Sequence, residues 1–282
     1  AGVRWNIYNE KFMKTHGWFE NLAVRANIGT VGNQNFQLSQ IMTLYNFLKM
    51  YDGVMGAEIM SIANPELKWQ TTLNRNIGLE FSLLQGLVNL DFNYYSNITK
   101  NNLTDIAILP STGFSTYKAN MGKVRNQGYE FSLSITPIKK NGWIVNAFVN
   151  GAHNKNKLLN ISDALRDYNE VIKENQTAHL NYAGYTQLER IFLFEEGQSL
   201  NSIFAVRSMG IDPGTGQEIF VTADGVQTFQ WNAADQVVVG NTEPTLKGYF
   251  GLNVDYKRWS FGANFQYSFG ADRYNKTLYE KI

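Results

Sequence analysis

The 282-residue sequence predicts an all-β chain, part of an antiparallel up-and-down transmembrane β-barrel with long extracellular loops. Three observations carry that expectation. Apolar and polar residues alternate with period two in segment after segment, which gives each strand one apolar and one polar face. The runs outlast the roughly 5–6 residues of an ordinary strand. Short and long connections also alternate strictly, as periplasmic turns and outer loops do in membrane barrels. Composition agrees: charged residues are 17 %, aromatic residues 14 %, and there are 24 Gly, 5 Pro and 32 Asn. Such a chain suits strands and polar loops, not a helix bundle.

Each element follows from this pattern. Gly2–Ile7 reads as the end of one strand, with a turn at 8–18. Leu22, Val24, Ala26 and Ile28 form the next. Thr71–Leu83 sets Leu73, Ile77, Leu79, Phe81 and Leu83 against Asn74, Asn76, Glu80 and Ser82. Gln85-Gly86 turns it into Leu87–Thr99. Tyr129 to Ile135 alternates in the same way, and Lys139-Lys140-Asn141-Gly142 leads into Trp143, Val145, Ala147 and Val149. Leu246–Tyr256 and Trp259–Phe269 form the last hairpin around Lys257-Arg258. Long connections are expected at 30–68, 100–119 and 154–245. Strand parity makes 154–245 a single extracellular excursion. Within it, Ser202–Met209 and Gln217–Thr222 read as a hairpin hinged at Asp212–Gly216, and a Ser162-capped helix is expected over 162–173. Ile191, Phe192, Leu193, Phe194, Ile203, Phe204, Phe220 and Trp231 should anchor this excursion by burial. Trp18, Phe19, Trp143, Tyr256 and Trp259 cluster beside the short turns, as an interfacial girdle requires.

The lipid-facing set is expected to be Leu73, Leu79, Phe81, Val88, Phe92, Phe131, Leu133, Val145, Leu252, Phe261 and Phe265. Arg75 interrupts that face and should lie at or above the outer headgroups, where its long side chain reaches water or phosphate. The opposite face supplies the candidate lumen and substrate residues: Asn76, Glu80, Asp91, Asn93, Tyr95, Glu130, Asn146, Asn150, Tyr249, Asn253, Asp255, Asn264 and Gln266. Their amides, carboxylates and phenols suit polar solutes such as glycans or peptides, or the satisfaction of a packed plug. Tyr117, Tyr168, Tyr182, Tyr185 and Trp231 in the outer loops could stack on sugars or pack against a lid.

Other chemistry is weakly represented. A formal charge of +1 gives no field for nucleic acid. The absence of Cys removes disulfides and thiol chemistry. No apolar run approaches the about 18 residues of a membrane-crossing helix. His16, His153 and His179 show no metal spacing, and no hydrolase motif occurs, so no enzyme activity and no cofactor are expected. Asp212, Glu218 and Asp224 beside Gly214 and Gly216 make a weak calcium candidate, against the plainer reading of a β-turn.

The stretches Val31-Gly-Asn-Gln-Asn35, Ala63-Asn-Pro-Glu-Leu-Lys-Trp-Gln70, Asn120-Met-Gly-Lys-Val-Arg-Asn-Gln-Gly-Tyr-Glu-Phe131 and Val239-Gly-Asn-Thr-Glu-Pro244 occur in that order. In this series the chain resembles the barrel of SusC/RagA-like TonB-dependent outer-membrane transporters. The resemblance implies a barrel of about 22 strands around a plug. Residues 1–282 would then be a fragment of that one barrel domain, with the plug, the TonB box and the remaining strands outside it. It also implies a SusD-like surface lipoprotein over the barrel mouth, TonB acting through the missing N-terminal part, and contact with outer-membrane lipid. The implied function is TonB-dependent import of a polar nutrient, a glycan, oligosaccharide or peptide. A barrel enzyme, a passive porin and a soluble glycan-binding β-sandwich are the rivals.

Overall fold

The computed structural model describes residues 1–13, 19–34, 36–107, 113–114, 116–163, 165–167, 169–170, 193–273 and 275. Strands β1 (Gly2–Asn6) and β2 (Phe19–Asn33) come first. The helical turn α1 (Leu38–Ile41) and the hairpin of β3 (Tyr45–Tyr51) and β4 (Val54–Ile59) follow. Next are β5 (Gln70–Leu83) and β6 (Val88–Lys100), then the hairpin β7 (Leu103–Ala107) and β8 (Thr116–Asn120). The two longest strands are β9 (Gly122–Lys140) and β10 (Trp143–Ile161). Five short strands succeed them: β11 (Ser202–Ala205), β12 (Arg207–Ile211), β13 (Glu218–Val221), β14 (Gln227–Thr228) and β15 (Val237–Asn241). The last pair is β16 (Leu246–Tyr256) and β17 (Trp259–Phe269).

Eight of these strands form one sheet in the order β1-β2-β5-β6-β9-β10-β16-β17. Every pairing is antiparallel and joins neighbours in the series, so the sheet is an up-and-down meander with β1 and β17 at its edges. The tight turns follow their residues. Asn141 and Gly142 have φ of 57° and 79°, the left-handed conformation that a two-residue hairpin turn needs at both central positions. The connection after β5 is wider than Gln85-Gly86 alone, because Leu84 also takes a positive φ.

Register sorts the two faces. Leu79, Phe92, Phe131 and Gly151 form one row, and Phe81, Leu90, Leu133 and Val149 the next. Val149 continues through Phe250 to Phe265. Phe261 is 64 % exposed, Phe265 55 % and Leu252 40 %, so this face does not pack into a second layer as a sandwich would require. Aromatic rows bound it. Trp143 stacks on Tyr256 at 4.2 Å near the short turns, where Lys257 also lies over the Tyr256 ring. At the other end Tyr94, Tyr129 and His153 share a row, with Tyr129 and His153 5.1 Å apart. Trp143 to His153 is ten residue steps, roughly 33 Å of strand at about 3.3 Å per residue. A tilt of about 40° reduces that to roughly 25 Å, the height of a membrane barrel's apolar band.

Several sequence expectations need adjustment. The wall strand expected to end at His153 continues to Ile161 and stays paired with β9. Residues 154–157 (Asn-Lys-Asn-Lys) are polar on both faces in sequence, which hid the continuation. The expected hairpin of 202–209 with 217–222 is divided: β11 pairs with β15, while β12, β13 and β14 form a separate sheet. Residues 163, 165–167 and 169–170 are helical, but Ser162 Oγ is buried without a hydrogen-bond partner and so does not cap them. The hairpins β3–β4 and β7–β8 were not anticipated. Trp18, His16, His179, Tyr168, Tyr182, Tyr185, Ile191, Phe192 and the expected helix residues 171–173 lie outside the described residues.

Phe265→Arg, placed between the two aromatic rows, should cost about 2–4 kcal/mol of assembly free energy. Reversible denaturant titration of the lipid-embedded full-length protein measures it. The same substitution at Trp259, in the lower aromatic row, should cost about 0–1 kcal/mol.

Candidate functional site

All thirteen candidate lumen residues share the polar face. Glu80 lies opposite Asp91, Asn76 opposite Tyr95, and Asn93 opposite Glu130. Asn150, Tyr249 and Gln266 form one continuous row. Asn146 faces Asn253, while Asp255 and Asn264 hold the same face of β16 and β17. This face is concave. A cleft of ≈ 540 Å³ is lined by Asp91, Asn93, Glu130, Asn150, Tyr249 and Gln266 together with Lys247.

Beside the cleft, sharing Asp91 and Asn93 with its lining, is an ion network that includes two residues sequence reasoning missed. Arg4 grips Glu80 with both terminal nitrogens, at 3.1 and 2.6 Å. Arg25 donates to Glu80 at 2.7 Å, to both Asp91 oxygens at 3.2 Å and to Asn93 at 2.7 Å. Asn93 in turn donates to Asp91 at 2.6 Å. Two guanidiniums therefore balance two carboxylates that stand directly opposite each other, a like-charge pairing that is otherwise unfavourable. The available signal was register: Arg4 and Arg25 are cations on the polar faces of β1 and β2, level with Gly78 and one polar row from Glu80. Toward the short turns, Asn146 donates to Ser134 and Thr136 at 2.8 and 3.1 Å. The Asn150 side-chain oxygen accepts from the Tyr249 backbone at 3.0 Å.

Toward the long loops the same face changes character. Tyr95 donates to Asn154 at 3.0 Å, and Asn154 donates to Glu243 at 2.6 Å. Asn201 also donates to Glu243, so this carboxylate ties the wall to the 193–245 region. Above it Met121, Val124, Leu158, Ile161 and Leu165 form a buried apolar cluster with Ala119, against which Tyr117, Phe194 and Leu200 pack. Of the expected anchors, Leu193 is buried, and Ile203, Phe204, Phe220 and Trp231 are half-buried. The sequence blocks around this cluster do structural work. Asn64 donates to Lys118 O and accepts from Glu66 N, while Asn120 bonds the backbone of Lys68 and Asn101. At Gly128 a Cβ would collide with the His153 carbonyl and the Tyr95 hydroxyl.

Glu196 closes the corner. It accepts from the Ile161 backbone N–H at 3.1 Å and from Arg166 at 3.1 Å, and these hold its carboxyl below the usual range. Asp212, offered as a calcium ligand, instead closes its own turn through Thr215 Oγ1 and the backbone N–H groups of Gly214 and Thr215, which also lower its pKa. Among the described residues no three His, Asp or Glu side chains gather as a metal cage would require, so Asp212, Glu218 and Asp224 do not form one. Burial, assisted by Glu66, raises Tyr117 and keeps its phenol neutral at neutral pH.

A sheet apolar on one side, polar and concave on the other, and bounded by aromatic rows matches one family model. "TonB dependent receptor-like, beta-barrel" aligns with residues 1–280. The chain belongs to this family. Its strands are those of a β-barrel of the bacterial outer membrane. A TonB-dependent receptor of Formosa agariphila is 28% identical over 301 residues, covering 96% of this chain and 29% of that protein. The TonB-dependent receptor SusC of Bacteroides thetaiotaomicron is 28% identical over 161 residues, covering 54% of this chain and 16% of SusC. Among solved structures, the RagAB peptide importer in its closed-closed state superposes with a TM-score of 0.75 at 25% identity, covering 96% of this chain and 29% of that one. The chain thus spans under a third of the length of these relatives.

Two outcomes follow. Arg25→Met leaves Glu80 and Asp91 facing each other and should cost roughly 1–2 kcal/mol. Adding Glu80→Gln and Asp91→Asn should recover most of it, as read in a denaturant-based mutant cycle. For Glu196 the folded-state pKa is depressed, so its contribution is present above the unfolded value and is lost as pH falls through the folded one. The protection factor of the Ile161 amide, its exchange taken relative to the intrinsic rate at each pH, should therefore fall on acidification through the carboxylate range, and Glu196→Gln should flatten that dependence.

Proposed function

We propose that this chain is one stretch of the wall of a SusC/RagA-like TonB-dependent importer that takes up a polar nutrient of the glycan or peptide class. The observation that carries the reading is the concave polar face, with its Arg4–Glu80–Arg25–Asp91 network and the Asn150 and Gln266 amides that line its cleft, backed by an apolar face suited to lipid. Amides, carboxylates and guanidiniums held on a rigid sheet can exchange hydrogen bonds with a passing polar solute without rearranging. Residues 1–282 form part of one barrel domain, whose edges β1 and β17 pair with further strands in the intact protein. The 154–245 segment rises from the outer rim as an extracellular excursion. Import itself depends on TonB acting on a plug carried elsewhere in the protein. A SusD-like lipoprotein covers the mouth.

The sheet of β12, β13 and β14 is an exposed part of this excursion suited to a lid. Met209, Ile211 and Val226 stand open on it, while β11 and β15 fasten its base. Replacing Arg207–Thr228 with a short flexible linker in the full-length protein should leave barrel assembly intact. It should weaken lipoprotein co-purification or uptake of labelled oligosaccharide or peptide. Unchanged assembly, association and uptake would show that the sheet serves neither role.

A further inference from the structure

Above the row of Tyr94, Tyr129 and His153, the outward face turns basic. Arg75 and Lys155 lie one row up, Arg125 and Lys157 the next, and Lys100 and Lys123 above those. Arg125 stands directly opposite Lys157, and Lys100 directly opposite Lys123. Like charges placed opposite each other destabilise a sheet unless something negative lies between them. No Asp or Glu shares this face of β5, β6, β9 or β10 above the tyrosine row. Among the described residues, no ion pair includes any of the six cations. Arg125 Nε is buried without a hydrogen-bond partner.

We infer that this patch binds the phosphate groups of a multiply phosphorylated lipid in the outer leaflet. Height and chemistry both select that occupant. The roughly 25 Å apolar band ends at the tyrosine row, so the cations sit where headgroup phosphates lie. Just below them Ile77, Phe92 and Phe131 offer an apolar surface for acyl chains. Arginine and lysine make short, charge-assisted hydrogen bonds to phosphate oxygens, and an anion between the paired cations cancels their mutual repulsion. The bound lipid would fix the depth at which the two longest strands leave the membrane.

The test uses the full-length protein in phosphatidylcholine nanodiscs doped with bis-phosphorylated lipid A, with native mass spectrometry counting retained lipid. The phosphorylated lipid should be retained and its dephosphorylated form lost, a comparison that needs no variant. In Lys123→Gln/Arg125→Gln retention should fall roughly fivefold for each cation removed. Lys139→Gln/Lys140→Gln, at the opposite end of β9, should leave it unchanged. Inorganic phosphate, which lacks acyl chains, should not displace the lipid. Equal retention of the dephosphorylated lipid, undiminished retention in the first double variant, or full displacement by inorganic phosphate would each overturn the assignment.

Discussion

A strand crossing hydrocarbon has no water to satisfy its backbone, so each N–H and C=O must find another strand. The rest of this structure follows from that constraint. It makes the eight wall strands one continuous antiparallel sheet, since nearest-neighbour pairing satisfies every interior strand on both edges. Side chains then alternate between two environments. One face must tolerate lipid and the other must accept polar groups, and the period-two pattern records that division.

The division inverts at the tyrosine row. Below it, the outer face is apolar and the inner face carries Glu80, Asp91 and Glu130. Above it, the outer face carries Arg125 and Lys157, while the inner face buries Val124 and Leu158. The two longest strands therefore serve two environments with one unbroken ladder. Within the bilayer they are wall. Beyond it they support a small apolar core that Tyr117, Leu165, Phe194 and Leu200 complete. Where β16 is too short to pair with the end of β10, the backbone of Gly197 and Gln198 bonds to Leu158 instead.

The abundance of asparagine has a related cause. Loops that fold over a barrel rim need to satisfy backbone groups without introducing charge, and a primary amide both donates and accepts. Asn120 and Asn169 each do both against backbone groups of distant segments, and Asn64 donates to distant Lys118 while accepting from nearby Glu66. Glu243 performs the comparable task with charge, joining Asn154 of the wall to Asn201 of the excursion. Asn64, Asn120 and Glu243 lie in three of the four ordered sequence blocks.

By itself the sequence determined the eight wall strands, their order and the alternation of their faces, because alternation is local and a turn such as Asn141-Gly142 needs only its own residues. Tertiary structure alone decided the rest. Arg4 and Arg25 converge on Glu80 only because register places both one polar row away from it, and register is not written in any one strand. Residues 154–157 remain in the sheet although both their faces are polar, because β9 continues beside them. The inner apolar core and the outer basic ladder are likewise invisible in a single strand. Each is a row across neighbours, and a row exists only once the strands have paired.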